Sequence, residues 1–95
     1  MKADHFLKEA IKVQEARGEE YDKDGQERSM AKVIKVFNAF HDTNLTESQG
    51  WHFMSILKDV RLFGAKEFHY DSALDGVSYT ALLAESKASE GGEDE

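Results

Sequence analysis

Apolar residues recur three and four positions apart along most of this chain, and no stretch alternates with a period of two. From Asp4 to Arg17, Phe6, Leu7, Ala10, Ile11 and Val13 keep mostly helical spacing, with lysines between them. Asp4 is the candidate N-cap of this first helix, and Gly18 its candidate C-cap. A second helix is expected from about Glu27 to Phe40, with Met30, Val33, Ile34, Phe37 and His41 in one stripe and Phe40 beside it. The third begins at Thr46, because Thr46-Glu47-Ser48-Gln49 reads as a capping box, in which hydroxyl and amide side chains satisfy each other's backbone N–H groups. Its expected core stripe is Phe53, Ile56, Leu57 and Val60, and it ends near Gly64. A fourth is expected from Asp71 or Ser72 through Leu74, Val77, Ala81 and Ala84.

Helices alone, joined by short connections, imply an all-α fold: a four-helix antiparallel bundle formed by one domain, residues 1–86. Residues 87–95 lack periodicity and carry one lysine against four acids, so they are expected to form a disordered acidic tail. The stripes are narrow, and Trp51, Met54, Phe63, Phe68 and Tyr70 are more aromatic and thioether surface than four helices need. Small helical domains often complete their core by association, so a homo-oligomer is expected.

Composition narrows the chemistry. The 95 residues contain no cysteine, which removes disulfides, thiolate zinc sites and cysteine nucleophiles. No apolar run approaches the ~18 residues of a membrane span, and the N-terminus has no signal-peptide core, so no membrane is expected and the chain is read as cytoplasmic. A net charge of −7, of which −3 lies in the tail, disfavours nucleic acid as a partner. The four histidines, His5, His41, His52 and His69, show no i, i+4 pair, so zinc is not expected. Ser48, Ser55, Ser72 and Ser78 stand in no nucleophile-elbow context, and no Gly-rich phosphate loop is present.

Three groups could carry function, each beside a plainer reading. Trp51, Met54, Lys58 and Arg61 share one edge of the third helix, where two cations and an indole suit an anionic, aromatic ligand. Equally, Lys58 and Arg61 are surface side chains paired to neighbouring acids. On the fourth helix Asp71 and Asp75 lie at i, i+4 with Tyr79 one turn on, a pair that could hold magnesium. Alternatively Asp71 is an N-cap and Asp75 bridges to Lys58 or Arg61. Arg17, Tyr21, Arg28 and Ser29 border a polar loop and a helix start that could bind an anion, or simply form a capped loop.

The runs Arg17-Gly18-Glu19-Glu20-Tyr21-Asp22 and Gly25-Gln26-Glu27-Arg28-Ser29-Met30-Ala31 resemble the opening of a family of small phage-encoded helical proteins. The resemblance continues through Phe37-Asn38-Ala39-Phe40, Leu45 to Met54, Leu57-Lys58-Asp59-Val60-Arg61, Asp71-Ser72 and Asp75 to Tyr79. It spans about residues 5 to 86. That family in turn looks like a trimmed relative of the all-α NTP pyrophosphohydrolases, the MazG-like and dimeric dUTPase-like group. Such a relation implies an oligomeric helical bundle that binds nucleotides, with magnesium held by ExxE and ExxD acid pairs. Here Lys58 and Arg61 stand where acids would be expected, and the acids of the fourth helix are spaced i, i+4.

The leading expectation is therefore a phage-type protein that binds a nucleotide or nucleotide-derived signal and sequesters it uncleaved, blunting a host defence in the bacterial cytoplasm. Arg17, Arg28, Lys58 and Arg61 would contact phosphates, Tyr21 and Trp51 would stack, Ser29 would donate a hydrogen bond, and Met54, Asp75 and Tyr79 would complete the pocket, with no cofactor. One alternative is a magnesium-dependent pyrophosphohydrolase using Asp71, Asp75 and Glu27. Another is an inhibitor that binds a host protein.

Overall fold

A computed structural model of the chain describes the backbone of residues 1–23 and 29–92 and the side chains of residues 1–18 and 29–92. It is all-helical, with α1 (Ala3–Lys23), α2 (Met30–His41), α3 (Glu47–Gly64) and α4 (Tyr70–Glu90), and no strand among the described residues.

Local chemistry sets most helix ends. Thr46 and Gln49 form the expected capping box: Thr46 Oγ1 accepts from the Gln49 N–H at 3.3 Å, and Gln49 Oε1 accepts from the Thr46 N–H at 2.9 Å. α2 stops at Asp42, whose left-handed backbone (φ 53°) turns its N–H onto the Asn38 carbonyl. The Asn38 side chain then ties down the connection, accepting from Thr43 Oγ1 and the Leu45 N–H and donating to the Leu45 carbonyl.

Three boundaries depart from the sequence reading. Gly18 does not cap α1, which runs on to Lys23, and Asp4 lies within the first turn rather than at the N-cap. Good helix formers, Ala16, Arg17, Glu19 and Glu20, flank that glycine and absorb its cost of about 1 kcal/mol. The cap of α4 is His69, whose Nδ1 accepts from the Ser72 N–H, and neither Asp71 nor Ser72. Finally, Lys87 to Glu90, expected to begin a disordered tail, are helical, because Glu90 is held to the start of α3. Residues 93–95 lie outside the described ones.

The helices are not packed equally. α4 is central, packing most extensively on α3 and also on α1, while α2 touches only α3 among the described residues. Contacts from Lys58–Asp75 at one end to Ser48–Glu90 at the other make α3 and α4 antiparallel, as expected. The pairs His5–Tyr70 and Gln14–Ser78 advance together, so α1 runs in the same direction as α4, against the antiparallel expectation.

The face that α3 buries is not the predicted one. Phe53, Ile56 and Val60 are exposed and Leu57 is half-buried, while Ser48, Gly50, Trp51 and Ser55 are buried. On α4, Ser72, Ser78, Leu82 and Ser86 are buried, whereas the expected Ala81 and Ala84 are exposed. Small serines allow the two backbones to approach closely, and Trp51 and Leu82 fill the space between. On α1, Leu7 and Ile11 are exposed, and only Ala10 of its predicted stripe is buried. α2 has no buried residue: Met30 and Ile34 are half-buried, but Val33, Phe37, Phe40 and His41 are exposed.

Candidate functional site

The α3–α4 seam is where the structure gathers chemistry-bearing side chains. Ser48, Trp51, Ser55, Lys58 and Leu62 repeat along α3 at alternating three- and four-residue steps, and Ser72, Asp75, Tyr79, Leu82 and Ser86 do so along α4. This heptad spacing keeps one line of each helix facing the other. Lys58 Nζ lies 3.1 Å from Asp75 Oδ2, with side chains only 13 % and 22 % exposed. Two turns back along α3 and one turn on along α4, the rings of Trp51 and Tyr79 stack at a centroid distance of 5.8 Å and an interplanar angle of 25°. The indole N–H donates to Glu47 Oε2 at 3.1 Å, and Ser86 Oγ donates to the same oxygen at 3.2 Å. Beyond them Glu90 accepts from both the Ser48 N–H and the Ser48 hydroxyl. That hydroxyl bond, with a smaller contribution from the backbone N–H, outweighs the cost of desolvation and holds the Glu90 carboxyl below its ordinary 4.5.

Of the residues expected to bind a ligand, Trp51, Lys58, Asp75 and Tyr79 therefore do meet, with Met54 half-buried on the same helix. They are matched to one another: cation to carboxylate, ring to ring. The plainer reading of Asp75, a bridge across the helices to Lys58, is the observed one. Arg61 is different. It is exposed, forms no ion pair among the described residues, and with Val60, Gly64, Ala65 and His69 lines a shallow depression of about 510 Å³ where α3 turns towards α4. His69 uses Nδ1 to cap α4, which leaves Nε2 to face solvent.

The remaining expected residues are not brought to this seam. Arg17 is exposed on α1. Ser29 precedes α2, is exposed, and makes no capping hydrogen bond with its side chain. Arg28, Glu27 and the side chain of Tyr21 lie outside the described residues. Asp71 is exposed in the first turn of α4. No group of three or more histidines and acids among the described residues is placed to hold a metal ion. No helix among them is long and apolar enough to cross a membrane.

Sequence reasoning overlooked Glu47, Ser86 and Glu90, which organise the far end of the seam, and Gln14, which reaches from α1 to the Ser78 hydroxyl at 2.7 Å. The signal lies in the spacing of Ser48 and Ser55 on α3 and of Ser72 and Ser86 on α4, whole heptads apart, which an apolar-stripe reading passes over. No protein-family description, curated protein or solved structure matches this chain.

Proposed function

We propose that this chain is a binding protein for an anionic, nucleotide-like small molecule, which it holds without cleaving. The observation that carries this reading is the contrast between two neighbouring cations on α3: Lys58 is neutralised by Asp75 at 3.1 Å, whereas Arg61 forms no ion pair among the described residues and lines the surface depression together with His69. A guanidinium in that setting offers paired donors to phosphate oxygens. Lys58 also occupies the Asp75 carboxylate that a magnesium-dependent hydrolase would need as a ligand, which supports binding over hydrolysis. The resemblance to small phage helical proteins would place such a sponge against a host defence that signals through nucleotides, in the cytoplasm of the infected cell.

The test is a thermal-shift screen of nucleotides and of cyclic and ADP-ribose-type compounds, each with and without magnesium. A ligand at 100 times its dissociation constant adds about 2.7 kcal/mol, a shift of several degrees for a domain of this size. The expected result is a magnesium-independent shift, with the ligand recovered intact, that is lost in Arg61→Ala. A shift that requires magnesium and fades as pyrophosphate is released would instead make the chain a pyrophosphohydrolase. If no ligand shifts the melting point, the nucleotide reading falls and the host-protein inhibitor takes its place.

A further inference from the structure

Among the described residues, two apolar strips of this fold have no cover. One runs along α2, where Val33, Val36, Phe37 and Phe40 lie beside Lys32 around a shallow depression of about 490 Å³. The other consists of Phe53, Ile56, Val60 and Phe63 on α3. At ~100° per residue these four project away from the line that faces α4. Exposure is high on both strips, 82 % for Phe40 and 87 % for Phe63.

Physical chemistry does not allow such a chain to stand alone comfortably. Among the described residues the buried apolar side chains are Ala10, Trp51 and Leu82, too small a core to offset the entropy of ordering four helices. α2 is the extreme case. It has 12 residues, buries none of them, and an isolated helix of about that length is marginal in water.

We propose that the two strips are the two halves of a homodimer interface: α2 of one chain lies on the α3 strip of a second copy, and the second copy returns the same contact. The strips are matched, each with four large apolar side chains. Their eight side chains, 42–87 % exposed, leave an apolar area on the order of the ~800 Å² that each partner contributes to a standard specific interface. A two-fold axis covers both strips at once and leaves no open end. Charge agrees with a second copy as the occupant. α2 carries Lys32 and Lys35 and no acid, whereas the chain as a whole is at −7 and Asp59 is exposed beside the α3 strip. This proposal is independent of the nucleotide reading, so either can fail without the other.

The experiment is sedimentation equilibrium of the full chain, followed by circular dichroism of the same samples. The wild type should sediment at twice the 10.7 kDa chain mass. Phe40→Glu and Phe63→Glu, each at a side chain exposed within one chain, should each weaken dimerisation at least 100-fold. Leu7→Glu, exposed on α1 outside both strips, should leave the dimer intact. If either charged variant also loses helicity, mixing the two decides the matter. In the mixed dimer one contact joins an intact α2 strip to an intact α3 strip and both substitutions fall in the other, so the mixture should associate more tightly and be more helical than either variant alone. A wild type that is folded and sediments as a single chain would overturn the proposal. So would an assembly indifferent to Phe40→Glu and Phe63→Glu, a mass of three or more chains, or a mixture of the two variants that restores nothing.

Discussion

The α3–α4 seam and α2 are equally regular helices with opposite allocations of side chains. The seam buries serines, an ion pair and a tryptophan, and it is tied across at four places, Lys58–Asp75, Trp51–Tyr79, Glu47–Ser86 and Ser48–Glu90. α2 has the more conventional amphipathic pattern, yet its apolar side stays open and only Met30 and Ile34 are tucked against α3 at Gly50. A helix with a clear apolar stripe needs a cover, but nothing requires that cover to come from the same chain. Most of the seam's polar residues find a partner there, which removes the penalty of burying them, and the Ser55 hydroxyl is the exception, buried with no hydrogen-bond partner among the described residues.

The largest effect should come from removing the biggest buried side chain of the seam. Trp51→Ala deletes a ring that is 8 % exposed, its stack on Tyr79 and its bond to Glu47, and should cost about 3–5 kcal/mol in urea unfolding. That is a large share of the stability a small domain possesses. Next is the ion pair. Lys58→Met leaves the Asp75 carboxylate half-buried without its cation, at a cost of about 2 kcal/mol. The double variant Lys58→Met/Asp75→Leu should recover most of that loss, because the desolvation penalty disappears together with the attraction. A double-mutant cycle measures both, and an equally damaged double variant would mean that the pair contributes more than it costs to bury.

A smaller effect should isolate α2 from the seam. A Cβ at Gly50 would lie 2.5 Å from Met30 Sδ and 2.9 Å from Ile34 Cδ1, both near the ends of side chains that can move. In Gly50→Ala this crowding is offset by a gain in helix propensity of about 1 kcal/mol, so global stability should change by less than about 1 kcal/mol. Hydrogen exchange should nonetheless show α2 amides opening faster while those of Trp51 to Lys58 are unchanged. Equal acceleration in both regions would mean that α2 and the seam unfold as one unit.

What the sequence revealed, and what it hid, divides along the same line. The capping box at Thr46 was legible because all its atoms lie within four residues. The meeting of Trp51, Lys58, Asp75 and Tyr79 was partly legible, since their spacing puts each set on one line of a helix, and the bridge from Lys58 to Asp75 was one of the readings open. The choice of core face was not legible. Phe53, Ile56 and Val60 declare an apolar stripe, and periodicity says that such a stripe is to be covered without saying by what. The buried serines were hidden for the complementary reason: polarity suggests solvent unless a partner is known, and the partners of Ser48 and Ser86 are about forty residues away. Arg61 shares a helix edge with Lys58, and Arg17 and Ser29 border the loop expected to complete the same pocket, but long-range packing places Arg17 and Ser29 elsewhere and leaves Arg61 at the seam's exposed edge.

The smallest effect concerns the far end of the seam and its dependence on pH. Glu90 is held below its ordinary 4.5 chiefly by the Ser48 hydroxyl, then by the Ser48 N–H and by Lys87 Nζ at 3.7 Å. A carboxyl whose value is lowered by folding adds stability that is complete above its unfolded value and is lost as pH falls through the folded one. The last turn of α4, Lys87 to Glu90, should therefore stay docked near neutrality and fray only once the pH has dropped below 4.5. Ser48→Ala removes the hydroxyl and leaves the N–H, so an NMR titration of the Glu90 side-chain carbon should move its midpoint upward. Fraying of that turn should move to higher pH with it, while the Trp51–Tyr79 and Lys58–Asp75 contacts stay as they are. If the midpoint does not move in Ser48→Ala, the hydroxyl is not what holds Glu90, and the Ser48 N–H and Lys87 share that role.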